Sequence, residues 1–338
     1  MTLIKFSKES RAVIKNKQSF FNENLKHLKY VRDVNALYKK QPARINCKTC
    51  GHGLGKPSIS VHDVDYAVCN NCGHFNGVYE DTRDFAEVIY NSGEGKNYSQ
   101  NYKNDYLNRV TDIYKPKVEF LCEALAVRGV SDFSITDVGC GGGHFVAACE
   151  QLNIRCTGYD TNLELIRLGN EMLTENSVEV SELDDIADVI RSVETPVVSL
   201  VGVLEHLMEP LSALSAFKES RANYLYLQVP LFSFSVLLES ANPDVFPRQL
   251  NAGHTHLYTR ESLSYLQKKF GFSTVGEWWF GTDVVDLFRH LLIKSQVDEG
   301  DRKDLVERLL GQHIDDLQTV FDRSRNCSGV NLIWSKVD

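Results

Sequence analysis

From about residue 115 the apolar positions switch between two periods. "KPKVEFLCEALAVRG" spaces them as a helix does, and "FSITDVG" is a short apolar run ending in glycine. The same exchange repeats downstream: helix "GHFVAACEQLN", strand "RCTGYD", helix "NLELIRLGNEML", a weaker strand near "SVEV", and helix "SELDDIADVIRSV". A strongly apolar strand, "PVVSLVGVLEH", a helix, "PLSALSAFKES", and the strand "NYLYLQVP" complete the series. Five strands, each but the last followed by a helix, predict an α/β fold with a parallel sheet covered by helices on both faces. Beyond it, Thr259 is placed to cap a helix over "RESLSYLQKKFGF". Two amphipathic helical patterns fill residues 282–328, as a substrate cover, a dimer face or ordinary packing, before a final strand, "GVNLIWSKV".

The first third of the chain is organised differently. Residues 1–45 hold eleven Lys/Arg against three Asp/Glu, within a net charge of -8 for the whole chain, and read as a basic helical arm. That arm either docks on its own acidic body or meets phosphate groups. Residues 81–114 include "NYSQNYKNDY", which sets Tyr98, Tyr102 and Tyr106 four apart on one helical face, as part of a lid or as aromatic packing. At 338 residues, 43% hydrophobic and 24% charged, the composition is ordinary for a globular chain of more than one unit. No apolar run of membrane-spanning length occurs, and "MTLIKFSKES" lacks a secretory signal, so a cytoplasmic protein is expected.

Between arm and linker, residues 46–80 carry "CKTCGHG" and "CNNCGHF", two matched pairs (Cys47, Cys50 and Cys69, Cys72) with eighteen residues between them. This is the spacing of a four-thiolate zinc ribbon, with disulfides or a redox pair as the competing readings. Gly51 and Gly73 can take the positive φ that such a turn uses. With four protein ligands the ion has no open position, so its role is structural. His52 and His74 are expected on the surface, and Cys122, Cys140, Cys149, Cys156 and Cys327 as small buried hydrophobes.

The chemistry concentrates in "TDVGCGGGHF", Thr136 to Phe145, directly after the first strand of the series. Bare backbone there lets a ligand approach closely, and the next helix offers unpaired N–H groups. Asp160 ends the next strand, 21 residues after Gly139, where an acid can receive ribose hydroxyls. A dinucleotide fingerprint wants glycine where His144 stands.

The pattern instead resembles the class I S-adenosylmethionine-dependent methyltransferases over roughly residues 115–280, through "DVGCGGGHF", the acid of "GYD" and the Glu-His of "VVSLVGVLEHLMEP". The resemblance implies a Rossmann-like methyltransferase domain over residues 115–338. Gly139, Cys140, Gly141 and Gly143 would line the amino-acid part of the cofactor, with Asp137 beneath the loop. Asp160 would hold the ribose, Glu182 and Leu183 would flank the adenine, and Glu205 would border the same site. Tyr98 and Tyr102 would belong to a lid.

Methyl transfer to a hydroxyl or carbon acid also requires loss of a proton, and the histidines available for it are His254, His256 and His206. A four-cysteine module joined to such a sheet is similar to sugar C-methyltransferases acting on nucleotide-linked deoxysugars. Those enzymes carry His-Glu-His where this chain has His254-Thr255-His256, which favours an O-methyltransferase of a sugar or glycan precursor. Two alternatives stay open: an RNA methyltransferase guided by the zinc module and basic arm, and a non-catalytic binding module.

Overall fold

The computed structural model describes residues 1–10, 14, 19–91, 105–182, 186–251, 253–295 and 301–337. Its strands, in chain order, are β1 (Leu3–Phe6), β2 (Ile59–Val61), β3 (Val64–Val68), β4 (Phe75–Gly77), β5 (Ile135–Val138) and β6 (Cys156–Asp160). There follow β7 (Ser177–Val180), β8 (Val197–Val201), β9 (Tyr224–Pro230), β10 (His256–Leu257), β11 (Phe272–Phe280) and β12 (Gly329–Lys336).

The apolar runs become central strands because they have no polar face to leave in water: β5 is buried at all four positions and β8 at four of five. Eight strands form one sheet in the order β1-β11-β12-β9-β8-β5-β6-β7. β5 to β9 run parallel, whereas β12 lies antiparallel between β9 and β11. After β7 the chain returns to place β8 on the other side of β5, which makes the carboxyl ends of β5 and β8 the point where strand order reverses.

Two apolar cores fill the two faces. One packs Ile190, Leu214, Phe217 and Leu263 from the helices Ile186–Ser192, Pro210–Glu219 and Arg260–Phe270. The other packs Phe120, Phe145 and Ile166 from Lys115–Ala126, His144–Gln151 and Leu163–Met172. Burying each large side chain of this kind contributes roughly 1.5–3 kcal/mol. Thr259 caps its helix as expected, its hydroxyl accepting from Ser262 N at 3.0 Å while Ser262 Oγ accepts from Thr259 N at 2.9 Å.

The structure departs from the sequence reading at several places. The expected helical arm begins as a strand: β1 pairs in parallel with β11, Leu3 opposite Gly276, and becomes the edge of the large sheet. Further on the segment is helical, at Ser19–Asn22 and Asn24–Tyr38. β11 itself escaped notice because a register shift between Thr274 and Gly276 breaks its alternation. The 282–328 region forms the helices Asp283–Lys294, Asp301–Leu310 and Ile314–Arg323, three where the pattern gave two.

A second sheet, ordered β10-β4-β3-β2, joins the cysteine region to the large domain. Its fourth strand, β10, comes from residues 256–257, so the small sheet is completed by the segment that follows the candidate histidines. Arg44 pairs with Glu80 and Asp81, and Lys48 also reaches Asp81, which fixes the chain on either side of Cys47.

The inserted helices are anchored by buried charge. Asp283 accepts from Ser233 Oγ, Ser235 Oγ and Ser328 N, and Asp286 takes a two-oxygen contact from Arg248 at 3.0 Å together with Ser235 Oγ at 2.8 Å. Arg289, 1% exposed, lies 3.5 Å from the same carboxylate. Asp286→Ala strands two buried guanidinium groups and should cost about 3–5 kcal/mol in urea unfolding. Arg191→Ala, at an exposed pair with Glu219, should leave the urea midpoint nearly unchanged.

Candidate active site and cysteine cluster

The glycine turn leaves β5 at Val138 with positive φ at Gly139, Gly141 and Gly143. Gly139 is the most constrained, because a Cβ there would stand 2.5 Å from Val203 Cγ2 while φ is +74°. The turn is held from the next strand. Gly139 N and Cys140 N both donate to Tyr159 O, and Gly141 N donates to Asp160 Oδ2 at 2.7 Å. Asp160 Oδ1 accepts from Asn162 N at 2.9 Å, so both carboxylate oxygens take backbone donors.

Beneath the turn, Asp137 is 2% exposed and accepts from Ser199 Oγ of β8 at 2.6 Å. Burial pushes its carboxyl up to about 7, against the Ser199 hydrogen bond. Burial also raises Asp160, against its backbone donors.

His144, where a dinucleotide turn would have glycine, stacks on Tyr106 at 4.2 Å between ring centroids and on Tyr114 at 5.4 Å. Burial holds its imidazole down at about 3, hence neutral. Tyr106, 2% exposed, donates its hydroxyl to Gly142 O at 2.9 Å and so braces the turn. Tyr106 was read only as a member of the tyrosine series, and its aromatic pairing with His144 was the available signal. Tyr98, Tyr102 and Leu183 lie outside the described residues. Glu182 is exposed just past β7, next to Ser181, whose N–H donates to Asp160 O.

Past the end of β8 the chain turns at Gly202 and brings Glu205 inside, 4% exposed. Its Oε2 has no hydrogen-bond partner, and burial pushes the carboxyl up to about 8. His206 Nε2 lies 4.0 Å from Glu205 Oε1, and its Nδ1 is 3.1 Å from Gly253 O. Burial lowers the His206 imidazole to about 4. His254 sets its Nδ1 2.6 Å from Gln249 O, and the His206 and His254 rings lie 5.0 Å apart. A cavity of about 20 Å³ adjoins this cluster, lined by Asp81, Phe85, Ile89, Glu205, His206 and Gly253 among others. A larger cleft of about 780 Å³, beside Tyr265, Trp279 and Arg325, includes no residue of the glycine turn and is set aside as the reaction centre.

His256 parts company with the other two histidines. It is fully buried, with its Nδ1 2.9 Å from His74 Nε2. This corrects two expectations. His256 is sealed inside on β10 of the small sheet, against the second cysteine knuckle, and His74 is not on the surface but at 0% exposure, whereas His52 is exposed as expected.

The four cysteine sulfurs lie within 4.8 Å of one another, with Cys47 Sγ to Cys72 Sγ at 3.6 Å and Cys50 Sγ to Cys69 Sγ at 3.5 Å. All four are free thiols. The two knuckles repeat one backbone pattern: Gly51 N donates to Cys47 O and Cys47 N to His52 O, just as Gly73 N donates to Cys69 O and Cys69 N to His74 O. Of the other five cysteines, Cys149, Cys156 and Cys327 are buried, while Cys122 and Cys140 are half-buried.

A glycine turn and a strand-end acid at the reversal point of a mostly parallel sheet form a nucleotide-cofactor site, the kind of site a methyltransferase uses. A family model described as a methyltransferase domain matches residues 106–277, so the chain belongs to that family and is a methyltransferase enzyme. Among solved structures it is similar to an S-adenosylmethionine-dependent methyltransferase from Archaeoglobus fulgidus, at 16% identity over 66% of this chain and 94% of that one, TM-score 0.43. It is also similar to the magnesium protoporphyrin IX methyltransferase of Synechocystis with bound S-adenosylhomocysteine, at 11% identity over 76% and 100%, TM-score 0.49. A third likeness is to the complex of the Haloferax volcanii Trm112 methyltransferase activator with a methyltransferase, at 14% identity over 71% and 98%, TM-score 0.43. No curated protein matches the chain. Among the described residues no helix is long and apolar enough to cross a membrane.

Because folding raises the Asp137 carboxyl, the folded state holds its proton more tightly than the unfolded chain. Stability is therefore present at low pH and lost as pH climbs from about 4, the unfolded value, toward about 7. In the cofactor-free protein, Asp137→Asn should accordingly gain stability relative to wild type between pH 4 and 7, read from paired denaturation curves. Gly139→Ala should abolish cofactor binding in calorimetry, since its methyl group meets Val203 and its φ is strained.

Proposed function

We propose that this enzyme transfers a methyl group from S-adenosylmethionine to a hydroxyl of a small polar acceptor, a nucleotide-linked sugar or glycan precursor. The observation that carries the reading is a convergence at one sheet edge. The glycine turn after β5, Asp160 at the end of β6 and the Glu205, His206, His254 cluster past β8 all lie at the carboxyl side of adjacent parallel strands. When bound, S-adenosylmethionine supplies a sulfonium methyl group for in-line displacement.

The residues present fit that cofactor. Gly139, Gly141 and Gly143 leave bare backbone under its amino-acid part, with Asp137 below and Cys140 at the side. Asp160 keeps acceptor capacity for ribose hydroxyls, and Glu182, exposed just past β7, is assigned the adenine edge. On the acceptor side the hydroxyl proton is lost at the Glu205, His206, His254 cluster. Thr255 stands between His254 and His256, where the sugar C-methyltransferases that the chain resembles carry a glutamate, and this supports oxygen over carbon as the acceptor atom.

The cysteine module is read as a structural zinc ribbon over residues 46–80. A tetrahedral ion with Zn–S near 2.3 Å needs sulfurs about 3.7 Å apart, close to the spacing of the two short pairs. Asn76 Nδ2, 3.6 Å from Cys47 Sγ, is placed as a donor to a thiolate. Through β4 and β10 this module forms a wall beside the acceptor histidines, which supports a small, shaped acceptor.

The test is a transfer screen with isotopically labelled methyl donor against sugar nucleotides and RNA, read by mass spectrometry. Labelling of a sugar nucleotide, lost in Asp160→Ala, is the expected result. Labelled RNA with inert sugar nucleotides overturns the acceptor class, and cofactor binding without any transfer overturns the reaction. For the ribbon, Cys69→Ser should remove one zinc per chain by elemental analysis and lower the thermal midpoint by several degrees.

A further inference from the structure

Glu205, His206 and His254 hold more than a proton path requires. Each offers a metal-ligand atom, and the three atoms lie within 4.8 Å of one another. Both imidazoles place Nδ1 on a backbone carbonyl, His206 on Gly253 O and His254 on Gln249 O. That hydrogen bond assigns the tautomer in which Nδ1 donates and the Nε2 lone pair is the ligand, the outer contact that metal-binding histidines typically make. The carboxylate is the independent sign. It is 96% buried, and one of its oxygens has no hydrogen-bond partner among the described residues, an arrangement that is costly unless something compensates it. The adjoining cavity of about 20 Å³ has room for one water-sized particle.

We propose that Glu205, His206 and His254 form a second metal site, separate from the cysteine cluster, that takes a divalent first-row cation through one carboxylate and two imidazoles. Three protein ligands leave positions open, as in catalytic rather than structural sites. The donor set, nitrogen and oxygen without sulfur, suits manganese, iron or cobalt and excludes the soft chemistry of the four thiolates. The use of the ion rests on the methyl-transfer reading: an open position would hold the acceptor hydroxyl oxygen and lower its pKa. The site itself rests only on its ligands.

Mn²⁺ is the suitable probe, because it ranks lowest among these ions in affinity and the thiolate cluster prefers softer metals. Full-length protein with its cysteine-bound metal retained is titrated with Mn²⁺ and followed by electron paramagnetic resonance of the free ion. Wild type should hold one Mn²⁺ per chain. Glu205→Gln keeps the side-chain shape and, like His254→Gln, should weaken binding at least tenfold, with unchanged circular dichroism as the check on folding. No Mn²⁺ retained by wild type, or equal retention in wild type and both variants, overturns the site. If Mn²⁺ binds at Glu205 but no methyl group reaches any acceptor hydroxyl, the site stands and the reading of its use falls.

Discussion

One carboxylate holds the reaction centre in shape. Asp160 ends β6, yet its Oδ2 accepts from Gly141 N in the turn that follows β5. A turn made almost wholly of glycine has no side chains to fix it, and the conformational freedom that lets it pass under a ligand would also let it wander. The Asp160 contact, with the donations to Tyr159 O, converts that freedom into one geometry. Tyr106 closes the far side through Gly142 O, and His144 stacks behind it. The same acid that is expected to receive the ribose therefore also sets the backbone beneath the rest of the cofactor, so its removal would act on both at once.

The second constraint joins two units that the chain presents as separate. β10 supplies the outer strand of the small sheet, and His256 on it meets His74, which directly follows the second cysteine knuckle. Two residues before His256 lies His254, in the acceptor cluster. The four-cysteine cluster and His254 are thereby joined through a short, paired stretch of chain.

Much of the large domain was legible because parallel strands buried on both faces write themselves as apolar runs, and the glycine turn, Asp160 and Glu205 stand at their ends. The matched cysteine pairs were legible because a metal knuckle needs fixed spacing. What stayed hidden was set by partners distant in the chain. Nothing in "LIKF" says that it will pair with residues 276–279, and the bulge in β11 erased the alternation that would have marked it. His256 and His254 look alike in sequence. Only the β10 pairing, which turns one toward His74 and leaves the other beside His206, assigns them opposite roles.

The edge strand β1 carries a consequence for how the molecule is made. Leu3 to Phe6 precede their partners in β11 by some 270 residues, so this contact cannot form until nearly all of the sheet exists. Until then β11's position is vacant and the growing sheet presents an open edge. An open edge is where strands from neighbouring chains add, and closing long loops is slow. The earliest of these strands in chain order thus becomes among the last to be placed, added along β11 once the far strands have arrived.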